Sequence, residues 1–200
     1  MTRDEIVQKG VEAALKLAEM QRWRDLSLHD IADEAGLSLA DFHTHDADKD
    51  TISAAVERSF DAGMNEGSFD PEETPRTRLF DVIMMRFETM EDVRDGAMSY
   101  LRWRDRSLDG MTLRVKNRAA TAKWALACSG LDGASRLPRG VQLAALGWAI
   151  AQAERAWREE TSADLSRTMA ALDAELIKLE ERLEWLNARG KRKPSKEADQ

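Results

Sequence analysis

Apolar residues recur at helical spacing almost from the first residue of the chain. Ile6, Val7, Val11, Ala14, Leu15 and Ala18 fall on one face, and Asp4 and Glu5 stand in the first turn. This predicts a helix from about Arg3 to Met20. Trp23 follows in a turn. Ser27 with Asp30 three residues on is a capping pair for a short helix carrying Leu28, Ile31 and Ala32, and Gly36 stops it. Ser38 caps a second short helix with Leu39 and Phe42. A further start near Asp48 leads through Ile52, Ala55, Val56 and Phe60 to about Met64. The run GSFDPEETP at 67–75 is a break, and no Pro recurs until Pro138. Long helices are expected at 76–89, 92–106 and 112–128, then from Pro138 in a first turn to near Glu160, and from Ser162 to about Ala188. No run alternates with period two, so strands are not expected. The fold class predicted is all-α with about nine helices: a domain over 1–66, a helical domain over 67–188, and a basic, disordered tail over 189–200.

Composition adds limits. The chain has 200 residues, 42% hydrophobic and 34% charged, with 4 Pro and 11 Gly. That is enough apolar material for a core. No stretch reaches the ~20 apolar residues of a membrane span. The first residues lack the apolar run of a secretory signal, and the lone Cys128 allows no internal disulfide or cysteine cage, so a reducing, cytoplasmic setting is expected. Net charge is −7, unevenly spread. Residues 25–50 carry Asp25, Asp30, Asp33, Glu34, Asp41, Asp46, Asp48 and Asp50 against Lys49 alone. Arg189, Lys191, Arg192, Lys193 and Lys196 crowd the end.

The short helix, Gly turn and short helix in LSLHDIADEAGLSLADF, residues 26–42, form a helix-turn-helix pattern. Extended to LSLHDIADEAGLSLADFHTHDADKDTI, it resembles the N-terminal domain of tetracycline-repressor (TetR) family regulators over about residues 3–60. The resemblance implies a DNA-binding head, a helical ligand-binding body and a homodimer formed through the last two long helices. By resemblance, Ser27, Ser38, His43, Thr44 and Lys49 stand where family members touch DNA. The family's usual Tyr is His43 here, its His is kept as His45, and the Phe after that His is replaced by Asp46. The charge pulls the other way. DNA binders neutralise roughly 6–10 phosphates with Lys and Arg, whereas this unit is acidic and repels a polyanion. Arg3, Lys9, Arg22, Arg24 and Arg58 are the flanking cations. His29, His43 and His45 also lie in this unit, and protonating them would move the local charge upward. They are read as a solvated helix end and not as a metal site, and no cofactor is expected.

Beyond the break, Trp and Met are abundant, and both suit an adaptable apolar pocket. Met84, Phe87, Trp103, Trp124 and Trp148 are candidates to line one for an apolar small molecule or lipid. Met169, Leu172, Leu176, Leu179, Leu183 and Leu186 are spaced as a heptad seam, which predicts a homodimer four-helix bundle together with the small-residue helix before it. The apolar helix end beside RGKRKPSK would suit peripheral contact with an anionic membrane. WREETSADLSRTMAALDAEL, residues 157–176, is similar to the C-terminal part of ubiquinone-biosynthesis accessory proteins that share the TetR fold. That resemblance implies a lipid-binding protein that no longer reads DNA. No G-x-S-x-G, G-x-G-x-x-G or P-loop is present, so catalysis is not expected. The expectation is thus a ligand-responsive TetR-like transcriptional regulator, or alternatively a lipid-binding accessory protein of the same fold.

Overall fold

A computed structural model describes residues 1–65, 70–133 and 137–191, with side chains through 185. Nine α-helices and no strand occur among the described residues. The helices are α1 Arg3–Leu17, α2 Leu28–Ala35, α3 Leu39–Thr44, α4 Lys49–Ala62, α5 Pro75–Asp92, α6 Arg94–Arg106, α7 Leu108–Cys128, α8 Arg139–Arg158 and α9 Ser166–Lys191.

The first four helices form the head. Caps at Thr2, Ser27, Ser38 and Asp48 set where they start, each side chain accepting the N–H of the third helical residue. Val11, Ala14, Ile31, Phe42, Ile52 and Val56 fill the space between them and are 0% exposed. The other five helices form the body. There, α8 packs along α9 on one side and α7 on the other, and α5 reaches both α4 and α9.

Head and body meet through aromatic rings. The buried Trp23 ring lies 5.0 Å from Tyr100, edge to face, and 6.3 Å from Trp103. Its Nε1–H donates to Ser53 Oγ (3.1 Å), and its backbone N–H donates to Ser99 Oγ (3.0 Å). Gly96 of α6 lies against the end of α1, where a Cβ would come within 2.2 Å of the Leu15 carbonyl oxygen. Glycine is what lets these two backbones approach.

Several predicted boundaries shift: α1 ends at Leu17 and α5 runs to Asp92. Pro138 is the N-cap of α8 and lies just before its first turn. The Ser107 hydroxyl caps the Gly110 N–H (3.0 Å), so α7 begins at Leu108. The last helix starts at Ser166 and not at Ser162. Residues 161–165 are held as a turn by Glu160, whose carboxylate accepts from the Ser162 hydroxyl (2.7 Å) and the Thr168 N–H (3.0 Å). Leu165 enters the helix at φ 54°, a left-handed conformation uncommon for a buried leucine. The expected division between residues 66 and 67 and the disordered tail after Gly190 lie outside the described residues, apart from the helical backbone at Lys191.

Candidate functional site

The helix-turn-helix is well formed. Ser27 accepts the Asp30 N–H (3.1 Å), and Asp30 Oδ2 accepts the Ser27 N–H (3.0 Å) and hydroxyl (2.6 Å). Ser38 and Asp41 repeat the arrangement at 3.2, 2.8 and 2.6 Å. These reciprocal capping boxes satisfy the first turns of α2 and α3. Hydroxyl and backbone bonds from the serines hold Asp30 and Asp41 below the ordinary carboxylate range. Gly36 makes the turn at φ 64°, where a Cβ is disfavoured. Phe42 anchors α3 in the core, leaving Leu39, Ala40, His43 and Thr44 exposed.

That exposed face carries no lysine or arginine. Lys49 does not reach outward: its amine donates to the carbonyls of Arg24 (3.1 Å) and Leu26, closing the turn before α2. Partial burial there pulls its pKa down. Arg3 is similarly engaged, donating to the His45 (3.0 Å) and Asp46 (3.3 Å) carbonyls. Arg22 and Arg24 both lie on Asp25, and Lys16 pairs with Glu34. Lys9 and Arg58 are exposed and have no ion-pair partner among the described residues. Ser27, Ser38, His43 and Thr44 thus sit on the surface, whereas Lys49 is engaged with the Arg24 and Leu26 carbonyls. Asp46, at the family's Phe position, takes φ 47°, which Asp tolerates. His45 Nδ1 lies 2.8 Å from the Asp41 carbonyl, and His29 Nδ1 lies 3.4 Å from Asp33. No cluster of three potential metal ligands occurs among the described residues.

The proposed pocket residues do not converge. Met84 and Phe87 are buried in the core of α5. Trp103 belongs to the aromatic contact between head and body. Trp124 is 42% exposed, with its Nε1–H donating to the Asp61 carbonyl (3.0 Å). Trp148 is 58% exposed on α8. Within the apolar interior of the body lies a buried ionic core. Arg86 of α5 donates to Asp61 (2.8 Å) and Glu57, both of α4. Arg104 of α6 donates to Glu57 and, at 2.6 Å, to Glu154 of α8. Thr121 of α7 donates to Asp61 (2.9 Å). At the rim, Arg158 lies 2.7 Å from both Glu154 and Asp105.

Burial alone would raise the Glu154 carboxyl. The charges of Arg104 and Arg158, with a hydrogen bond from Arg104, hold it down to about 2. Asp61 ends above its ordinary value, because burial outweighs Arg86 and the Thr121 hydroxyl. These residues were not singled out in the sequence. The available signal was a charge on an apolar face, such as Glu57 between Val56 and Phe60.

The seam residues divide. Leu172 and Leu176 are 0% and 2% exposed and face their own protomer's core. Leu179 and Leu183 are half-buried, Met169 is 40% exposed, and the Leu186 side chain lies outside the described residues. Heptad spacing marked the apolar side of α9, but part of that side is spent on α8 and α5. No helix among the described residues is long and apolar enough to cross a membrane.

No protein-family model matches the chain, and no curated protein matches its sequence. Solved structures do resemble it. The TetR transcriptional regulator from Nitrosomonas europaea ATCC 19718 superposes with a TM-score of 0.68 at 18% identity, over 90% of this chain and 98% of that one. A TetR transcriptional regulator from Rhodococcus sp. RHA1 gives 0.59 at 16% identity, over 88% and 97%. The chain has the TetR fold.

Proposed function

We propose that this TetR-fold protein is a transcriptional regulator that reads duplex DNA through α3 as a homodimer. The observation that carries the reading is the reading unit itself. Both serine capping boxes, the left-handed Gly36 and the buried Phe42 are in place, and they present His43 and Thr44 outward. Helix-turn-helix proteins insert such a helix into the major groove. His43 and Thr44 would meet base edges, Ser27 and Ser38 adjacent phosphates, and Lys9 and Arg58 the flanking backbone. Because α3 brings no cation, docking is weak and salt acts on few contacts. The body would bear an effector site and, through α8 and α9, the dimer contact. The ionic core runs from α8 through α6 to α4, so a ligand that shifts α8 has a stiff route to the head.

A second reading is favoured by one specific observation, the inward-turned Lys49 beside an acidic surface. It is a lipid-binding accessory protein of the same fold in which the head no longer meets DNA. In that case the basic tail would serve a membrane surface, and deleting residues 190–200 would weaken liposome binding. A regulator's DNA affinity would survive the deletion nearly unchanged. Fluorescence anisotropy with generic duplex at low salt, then at rising salt, separates the two.

A further inference from the structure

The face between α7 and α8 has two adjoining cavities of opposite character. One, of about 360 Å³, is lined by Arg114, Arg118, Arg155, Arg158, Trp148 and, on its acidic side, Asp105 and Glu154. The other, of about 390 Å³, is lined by Val115, Ala119, Leu143, Ala144 and Gly147. They meet at Arg118 and Trp148, which line both.

The cations of the first cavity are not all compensated. Arg158 pairs with Asp105 and Glu154, and Arg114 reaches Asp105 at 3.6 Å. Arg118 and Arg155 have no ion-pair partner among the described residues. The Arg118 Nε is buried and accepted by nothing. Burial disfavours the Arg118 charge; Glu154 and Asp105 favour it, and Arg104 and Arg114 oppose it. A bound anion would relieve both. The apolar cavity is equally unfinished. Val115 is 72% exposed and Trp148 58%, so large apolar side chains line an open groove.

We propose that this face binds an anionic amphiphile, with the acid group held by Arg118 and Arg155 and a hydrocarbon body laid between α7 and α8 against Trp148. Guanidinium groups match a carboxylate or phosphate head in geometry as well as charge. The hydrocarbon covers surface that the protomer leaves wet. The ligand end of the protein is thereby placed on the outer α7–α8 face and not among Met84 and Phe87. Arg158 touches the site and also Glu154, so occupancy bears directly on the ionic core. The effect on DNA rests on the regulator reading; the binding itself does not.

The test is calorimetry on the full chain with decanoate below its micelle onset, octanoate, acetate and decanol as probes. Decanoate should bind at one site per protomer. Octanoate should bind about fivefold to fifteenfold more weakly, as expected for two lost methylenes on a half-open surface, and acetate should give no binding. The double variant Arg118→Gln/Arg155→Gln should lose at least tenfold in decanoate affinity while decanol binding is unchanged. Ala144→Trp, which fills the apolar cavity from an exposed position, should abolish both. Should Arg118→Gln not fold, Arg155→Gln and Ala144→Trp carry the test alone, since both alter exposed positions.

The proposal is overturned if decanoate does not bind, if the arginine variants bind it as well as the parent, or if binding survives Ala144→Trp. It is also overturned if Ala144→Trp instead converts a dimer to monomer in sedimentation with no decanoate binding, because a second copy then covers the face. Duplex-DNA anisotropy on the same samples reads the regulator function separately. Loss of DNA binding leaves the ligand result standing, and loss of decanoate binding leaves the DNA result standing.

Discussion

Replacing Arg104 with Met removes the cation at the centre of the ionic core and keeps most of its volume. The side chain is 1% exposed and bonds Glu57, Glu154 and Asp105. Removing one partner of a buried ion pair costs about 3–5 kcal/mol, because the remaining charge is left without compensation. Here two buried carboxylates lose their shared partner. Domain stabilities run to about 5–15 kcal/mol, so the loss is at least about a fifth of the whole. With a urea dependence of about 1–3 kcal/mol per molar, the midpoint should fall by about 1–5 M.

The pH dependence should change as well. In the parent, Glu154 is held at about 2. Its contribution is therefore present above the unfolded value and is lost as pH falls toward 2. In Arg104→Met, Glu154 keeps Arg158 but loses its strongest attraction, so it holds its proton more tightly in the folded variant than in the folded parent. The variant should gain stability relative to the parent as pH falls from neutral toward about 5. The apolar triple Glu57→Leu/Arg104→Met/Glu154→Leu should recover most of the loss, since replacing both sides of such a pair is often neutral. A single-variant cost under about 1 kcal/mol, within the range of exposed pairs, would show that water reaches the cluster and would refute the reasoning.

Three further outcomes are expected. Lys49→Met should destabilise the head in thermal melts while leaving the salt slope of DNA binding unchanged; a phosphate-contacting lysine would lower that slope by about one. Gly36→Ala should cost about 1–2 kcal/mol in urea unfolding, because alanine resists the left-handed turn; a neutral result would contradict the turn geometry. Gly96→Ala should cost about 1–3 kcal/mol or more by forcing α6 away from the Leu15 carbonyl, and near-ultraviolet dichroism should register the displaced Trp23 and Trp103 rings.

What was legible in the sequence was local. Ser27, Ser38 and Gly36 announce themselves because caps and left-handed turns are decided within four residues. The start of α9 was misplaced because Glu160 overrides the Ser162 signal through bonds reaching Thr168. Heptad spacing found the apolar side of α9, but spacing cannot tell whether Leu172 and Leu176 face a partner or their own chain. The ionic core escaped notice because a charge in a helical pattern reads as solvated face. Glu57, Arg86, Arg104 and Glu154 are buried only because four separate helices bring their countercharges together. Lys49 matched a motif, and its engagement with the Arg24 and Leu26 carbonyls exists only in the folded head.

The central claim is that α3 reads DNA without cations of its own, and duplex-DNA anisotropy with rising salt tests it most directly. The account predicts binding at low salt whose logarithmic slope lies between about −2 and −5, shallower than that of proteins neutralising roughly 6–10 phosphates. No binding at tens of micromolar protein would contradict it and leave the lipid-handling reading in its place.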